Sequence, residues 1–172
     1  VYFKRIIPDF DDKAGKQHNL KHFFAITRFF SKHQSLTDDV IEWFMDMALF
    51  DVLIGNTDRH QENWGIIFKP DKTCSLSPLF DNGTSLGHER FIENVQGWDS
   101  QRIHAYVRKG RHHFRLDNNQ MSQRIKHFEL ITWLADTEER KNYMRLKLNS
   151  FSMEDMLNEI EGLTLIPNDI PF

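Results

Sequence analysis

Apolar residues recur at helical spacing near the start of the chain. Between residues 20 and 33 they fall on one broad face, which consists of Leu20, Phe23, Phe24, Ile26 and Phe30. This spacing predicts an amphipathic helix over residues 20–33. Residues 1–19 contain several Pro, Asp and Gly turn formers, and we expect that segment to be irregular.

The next apolar segment is longer, and its apolar residues surround the whole helix axis. Ser35 or Thr37 is the expected N-cap, with Asp38 and Asp39 in the first turn, where carboxylates interact favourably with the helix dipole. Gly55 and Asn56 are expected to end the pattern, because both residue types can adopt a left-handed backbone conformation. We therefore expect a central, buried helix that ends at residue 54.

A small β-hairpin is predicted next, followed by more helices. Trp64–Phe68 and Cys74–Phe80 are short apolar runs on either side of a Pro- and Asp-containing turn. Further helices are predicted over residues 99–109, 120–136, 137–149 and 152–161. The predicted fold class is therefore mainly α with a small β-hairpin.

Composition and charge exclude several classes of protein. The 172 residues are 40% hydrophobic and 27% charged, which is typical of a globular chain and predicts a single domain over residues 1–172. The net charge of −3 argues against direct nucleic-acid binding. The single cysteine, Cys74, cannot form an intrachain disulfide and is expected to be a small buried residue.

Nothing in the sequence suggests secretion or membrane insertion. No apolar run reaches the roughly 18–20 residues that a membrane helix requires. The first residues, Val1–Arg5, show no signal-peptide pattern and no initiator Met. We therefore expect a cytoplasmic protein with no membrane contact, and a chain that is a fragment of a longer one.

Three polar residues around the hairpin suggest phosphoryl transfer. Asn63 follows Asp58 by five residues, and Asp81 follows Asn63 by eighteen. Two paired strands bring their outer ends together, so the hairpin places Asn63 and Asp81 near one metal ion. ATP-dependent phosphoryl transfer requires a carboxylate to orient and deprotonate the acceptor hydroxyl, and oxygen ligands to hold Mg²⁺.

Two stretches resemble the active-site segments of HipA-like serine/threonine kinases. Leu53–Gly65 (LIGNTDRHQENWG) resembles the catalytic loop of that family, and Leu76–Asp81 (LSPLFD) resembles its metal-binding segment. The resemblance implies a protein-kinase-like C-terminal lobe with ATP and Mg²⁺ as cofactors. It implies that Asp58 is the catalytic carboxylate, that His60 belongs to the catalytic loop and shapes it, and that Asn63 and Asp81 bind the nucleotide-associated Mg²⁺.

The resemblance also implies partners. A complete kinase has a lobe with a glycine-rich phosphate loop and an ATP-anchoring Lys, and neither is recognisable before residue 40. We expect this missing N-terminal lobe in the same chain or in another one, and expect the fragment alone to be inactive. The HipA-like toxins imply a protein substrate, such as a translation factor of the aminoacyl-tRNA synthetase kind, and an antitoxin partner.

Other interpretations of the motif remain open. Phosphatidylinositol kinases share a similar D-R-H-x-x-N pattern, so a lipid kinase is one alternative. A non-catalytic kinase relic that binds a partner is another. Asp and Asn are also common in turns for purely structural reasons, so it is the joint pattern that favours catalysis.

Individual residues near the motif have alternatives of their own. Arg59 is predicted to pair with a phosphate or with a phosphorylated residue, or to form a structural salt bridge. His60 is either a metal ligand or a residue that orders its loop, and the second is favoured. Trp64 is expected to pack in the core rather than stack on a nucleotide. Thr84 and Ser85 are candidate phosphate acceptors.

A basic cluster is expected to be a solvated loop, and contact with an acidic substrate is a less favoured alternative. Its members are Lys109, Arg111, His112, His113 and Arg115.

Overall fold

A computed structural model describes residues 5–7, 10–11, 17–83, 85, 92–116, 123–152, 154–155 and 157–158. These residues are mainly helical, with one small antiparallel sheet. The helices are α1 (Leu20–His33), α2 (Val40–Ile54), α3 (Ser100–Lys109), α4 (His127–Leu134) and α5 (Glu138–Asn149), and the strands are β1 (Ile66–Phe68) and β2 (Cys74–Leu76). The chain divides into two compact units, Val1–Leu134 and Ala135–Phe172.

Helix α1 has the predicted bounds. Asn19 caps it, since its side-chain oxygen accepts a hydrogen bond from the His22 amide at 2.9 Å. Phe23, Ile26 and Phe30 point into the core and are almost completely buried. The predicted amphipathic helix is therefore confirmed.

Helix α2 begins later than expected. Asp39 is its N-cap, and the carboxylate accepts hydrogen bonds from the amides of Ile41 and Glu42. The prediction of a cap at Ser35 or Thr37 was wrong. Those two residues lie beside Cys74 instead, because the Cys74 amide donates to Ser35 O and the Thr37 amide donates to Cys74 O.

Helix α2 ends at the predicted glycine. Gly55 has a φ of +68°, and its amide donates to the carbonyls of Asp51 and Val52. This left-handed cap turns the chain sharply into the polar loop that follows. The site loop therefore starts from a defined end of α2. The predicted burial holds for only part of this helix, because Phe50 and Leu53 are exposed.

Aromatic side chains form the centre of the first unit. The Phe23 ring lies 4.8 Å from that of Phe44 and 4.9 Å from that of Trp64. Phe114 packs edge-on against Phe44 at 5.3 Å. These rings join α1 and α2 to the segment just before the hairpin and to residue 114. Such a large buried aromatic area dominates the stability of a small core.

The hairpin is antiparallel and shorter than predicted. Ile66 pairs with Leu76 and Phe68 pairs with Cys74. At the outer end, the Ser77 amide donates to Gly65 O at 2.9 Å. This bond keeps the two chains together beyond the strands, at the end where the polar residues lie.

The segment before α4 is extended rather than helical. Residues 120–122 lie outside the described residues, and the Ile125 amide donates to Phe114 O while Ile125 O accepts from His112. These long-range bonds hold residues 123–126 against residues 112–114. The predicted helix start at residue 120 is therefore wrong for residues 123–126.

In the second unit, α5 has nearly the predicted bounds, and Thr137 caps it by accepting from the Arg140 amide at 3.3 Å. Ser152 accepts from the Asp155 amide at 3.1 Å, as expected for a helix start, and most of residues 152–161 lie outside the described residues. Among the described residues, no helix combines the length and apolar character needed to cross a bilayer.

Candidate active site

The loop after α2 folds tightly around Asp58. The Asp58 amide donates to the side-chain oxygen of Asn56 at 3.0 Å. Asp58 O accepts from the His60 amide at 2.7 Å and from the Asn63 side-chain amide at 2.8 Å. These bonds fix the backbone on both sides of Asp58, whose side chain is half-buried.

His60 and Asn63 close the same loop. The Asn63 amide donates to His60 O at 3.0 Å, and His60 Nδ1 accepts from the Glu62 amide at 3.2 Å. The imidazole ring thus bonds to its own loop. This geometry agrees with a role of His60 in ordering the loop.

Arg59 joins this loop to the chain segment that follows the hairpin. The side chain is fully buried, and Nη1 donates to both Asn63 O at 3.0 Å and Phe80 O at 2.6 Å. Nη2 donates to the Asn82 side chain at 2.6 Å. Because one nitrogen bonds to both carbonyls, the backbone at Asn63 and the backbone next to Asp81 lie close together.

The buried position of Arg59 decides between its two predicted roles. A salt bridge to Asp51 at 2.7 Å holds the guanidinium, with neither side chain exposed. The salt-bridge prediction is confirmed, and contact with a phosphate in solvent is excluded in this conformation.

Asp51 is a site-supporting residue that the sequence reasoning missed. Its carboxylate accepts hydrogen bonds from Arg59, Asn56 and His112. Burial raises the pKa of this carboxyl, but the hydrogen bonds from His112 and Arg59 outweigh burial and hold the pKa below its ordinary value. No distinct signal in the sequence marked Asp51, because the same helix also contains Glu42 and Asp46.

Asp81 has an unusual backbone and an exposed side chain. Its φ of +55° is in the left-handed region, which costs a non-glycine residue about 1–2 kcal/mol and which Asp tolerates better than most. Arg59 bonds to both neighbours of Asp81, Phe80 and Asn82. These two bonds hold the strained residue in place and leave its carboxylate exposed to solvent.

The donor set fits a hard cation. Asn63 uses its side-chain nitrogen to bind Asp58 O, so the amide oxygen on the opposite side is the atom that can face a metal ion. Asp81 supplies a carboxylate. Within the part of the chain that the structure describes, no group of three or more His, Cys, Asp or Glu side chains could hold a metal ion. One amide and one carboxylate suit Mg²⁺, which keeps several waters and binds substrate phosphates.

The two candidate phosphate acceptors have different outcomes. Thr84 lies outside the described residues. Ser85 is described, and its hydroxyl oxygen is buried.

The prediction that the basic cluster is a solvated loop was wrong. Lys109 and Arg111 are exposed, but His112, His113 and Arg115 are buried. Backbone bonds explain the burial, since the Arg115 amide donates to His18 O and Arg115 O accepts from Leu20. The segment is thus inserted between the start of α1 and residues 123–126, and sequence proximity of charges did not reveal this.

Histidines near the loop are held in neutral form. Burial lowers the pKa of His18 well below its ordinary value, and the neighbouring His113 lowers it further. Burial, with Arg124 nearby, lowers the pKa of His113 to about 3. Burial also lowers the pKa of His127 to about 4, with a contribution from His112. These side chains behave as packed core groups.

Trp64 and Cys74 occupy the core, as expected. The Trp64 indole nitrogen donates to His18 Nε2 at 3.2 Å, and the ring is 7% exposed. Cys74 is completely buried and unbridged. Both predictions of a packing role are confirmed.

Comparison with known proteins identifies related kinases. The family model for the HipA-like C-terminal domain matches residues 8–159. The chain is 35% identical over 78 residues to the serine/threonine-protein kinase CtkA of Helicobacter pylori, which is 44% of this chain and 23% of that protein. It is 42% identical over 48 residues to the putative kinase Y4dM of Sinorhizobium fredii, which is 28% of this chain and 12% of that protein.

These matches cover less than a quarter of the length of either kinase. No solved structure matches the chain.

Proposed function

Because this chain belongs to the family of HipA-like C-terminal domains, we propose that it is the catalytic half of an ATP- and Mg²⁺-dependent serine/threonine protein kinase of the HipA-like toxin type. The observation that carries this proposal is the position of Arg59, which bonds to Asn63 O and Phe80 O through one nitrogen. Arg59 thereby joins the backbone of Asn63 to the backbone beside Asp81, which supports the proposal that both residues belong to one polar site. Two kinase-named relatives support the same class of reaction.

Asp58 is the proposed catalytic carboxylate. Its backbone is fixed on both sides by Asn56 and Asn63, so the side chain projects from a rigid loop. It would accept a hydrogen bond from a Ser or Thr hydroxyl and orient that oxygen towards the γ-phosphorus of ATP. It would take the hydroxyl proton as the new P–O bond forms and the bond from the γ-phosphorus to the β–γ bridging oxygen breaks, which releases ADP. General-base positioning of this kind contributes about 10²–10⁴-fold to a rate.

Asn63 and Asp81 are the proposed cation ligands. The Asn63 amide oxygen and the Asp81 carboxylate would hold Mg²⁺, whose positive charge would offset the negative charge of the nucleotide phosphates. The backbone hydrogen bonds of His60 to Asp58 and Asn63 hold these two residues close together. The remainder of the proposal follows the family: a kinase-like C-terminal lobe over residues 1–172, an N-terminal lobe for the nucleotide, a cytoplasmic protein substrate such as a translation factor, and an antitoxin partner.

The experiment uses the full natural protein that contains this chain. Transfer of radioactive phosphate from ATP is measured with Mg²⁺ present, to the protein itself, to casein and to phosphatidylinositol vesicles. We expect phosphate on Ser or Thr of protein acceptors, and about a 10²–10⁴-fold loss in Asp58→Asn. The exposed Asp136, which forms an ion pair with Arg140, provides the control Asp136→Asn, which should keep full activity.

Two results would overturn the proposal. Transfer that is unchanged in Asp58→Asn would remove its catalytic role. Transfer to vesicles but never to protein would establish a lipid kinase instead.

A further inference from the structure

The buried ion pair of Arg59 and Asp51 contacts the backbone beside both proposed cation ligands, Asn63 and Asp81. We propose that Arg59 and Asp51 are positioning residues that set the separation of Asn63 and Asp81, and so determine how tightly the site holds its divalent cation. This inference rests on the proposed kinase function. The inference assigns a positioning role to two buried residues that would not contact the nucleotide themselves.

All five N–H groups of the Arg59 guanidinium are used. Nε and one Nη2 hydrogen form a fork with the Asp51 carboxylate, at 3.1 and 2.7 Å. The second Nη2 hydrogen goes to Asn82, and Nη1 bridges Asn63 O and Phe80 O. The planar fork of Arg suits this arrangement, whereas the single ammonium of Lys cannot reach all of these acceptors.

The Asp51 carboxylate likewise accepts several hydrogen bonds. Besides Arg59, its oxygens accept from the Asn56 side chain at 3.0 Å and from His112 Nε2 at 2.8 Å. His112 Nδ1 accepts from the Phe114 amide, so the ring hydrogen is on Nε2 and points at Asp51. The carboxylate is therefore held from α2, from the site loop and from residues 112–114 at once, and its position fixes that of Arg59.

The placement of these bonds connects the ion pair to the cation. Arg59 lies next to Asp58 in sequence, bonds to the backbone of Asn63, and bonds to the residues before and after Asp81. Mg²⁺ requires ligand distances close to 2.0–2.1 Å in near-octahedral geometry. A shift between the two segments would therefore weaken binding of the cation.

The test compares matched ion pairs in the full natural protein. Arg59→Lys and Asp51→Asn alter the buried pair, and Arg140→Lys alters an exposed pair of the same 2.7 Å length. For each variant we would measure the folded fraction, kcat and KM for casein across a Mg²⁺ titration, and the binding of Mn²⁺–ATP by electron paramagnetic resonance. Asn82→Ala removes a single half-buried acceptor and serves if the buried variants do not fold.

We expect Arg59→Lys, or Asn82→Ala to a smaller degree, to raise the half-saturating Mg²⁺ concentration by about 10–100-fold, as loss of an outer-shell partner does. Mn²⁺–ATP binding should weaken in parallel, KM for casein should not change, and excess Mg²⁺ should restore part of kcat. Arg140→Lys should match the unaltered protein.

Two failures are distinguishable. If activity falls only with the folded fraction and the cation dependence is unchanged, Arg59 and Asp51 are purely structural, and this inference alone is overturned. If the unaltered protein transfers no phosphate and binds no Mn²⁺–ATP, the proposed function and this inference both fail.

Discussion

Acidification should destabilise the first unit through its buried histidines. His18, His113 and His127 are neutral in the folded protein because burial lowers their pKa, to about 3 for His113 and about 4 for His127. In the unfolded chain the same side chains titrate near a pKa of about 6.5. Between those values the unfolded state binds more protons than the folded state. The stability that the neutral histidines contribute is therefore fully present above pH 6.5 and is lost as the pH falls.

The magnitude follows from proton linkage. One such histidine loses about 1.4 kcal/mol of stability for each pH unit below 6.5. Lowering the pH from 7.5 to 5.5 should therefore cost about 1.4 kcal/mol for each histidine and about 4 kcal/mol for the three together. That is a large fraction of the roughly 5–15 kcal/mol by which domains are stable.

Urea unfolding at the two pH values would measure this loss. Tryptophan fluorescence is a suitable probe, because all four Trp residues precede residue 135 and Trp64 bonds to His18. His113→Gln should reduce the pH-dependent loss by about one third, since one of three linked groups is removed. His104 is exposed on α3, and His104→Gln should leave the loss unchanged.

The reasoning would be refuted by equal unfolding free energies at pH 7.5 and 5.5. It would also be refuted if His113→Gln and His104→Gln changed the pH dependence to the same degree.

Three further predictions test the site and the core. Asp81→Asn should abolish phosphate transfer without lowering the thermal midpoint, because Asn also tolerates the left-handed backbone, and a large fall in midpoint would contradict this. Gly55→Ala should lower the unfolding free energy by about 1–2 kcal/mol because the φ of Gly55 is +68°. Gly83→Ala should have little effect, because there is open space for a Cβ at that position. Equal losses of unfolding free energy in urea titrations of the two variants would contradict this prediction. Phe23→Ala should lower the unfolding free energy by about 3–5 kcal/mol. Phe128→Ala should lower it only slightly, because Phe128 is 47% exposed. A similar loss for both variants would contradict the role of Phe23 in the aromatic core.

The elements that the sequence predicted well depend on local interactions. The bounds of α1 follow from the periodicity of its apolar face and from a cap three residues away in the chain. Gly55 ends α2 because only glycine takes that backbone conformation at no cost. The hairpin follows from two short apolar runs and the turn between them. In each case the residues that decide the structure are neighbours in sequence.

The motif residues Asp58, Asn63 and Asp81 were recognisable from their types and spacing, and their functional roles stay predictions. Arg59 had two possible roles until the fold placed it among its acceptors. Nothing local distinguishes a buried arginine that bridges two loops from an exposed arginine that binds phosphate. That distinction depends on Asp51, eight residues earlier, and on Phe80, twenty-one residues later.

By itself, the sequence determined the helices whose caps and apolar faces are local, the hairpin, and the kinase-like motif. Only the tertiary structure decided that His112 and Asp51 form a buried network, that Asp39 rather than Ser35 caps α2, and that residues 123–126 are extended. The physical reason is the same in each case. Burial and backbone hydrogen bonds to distant segments, such as His112 N to Ile125 O, override the local preferences of charged and polar residues.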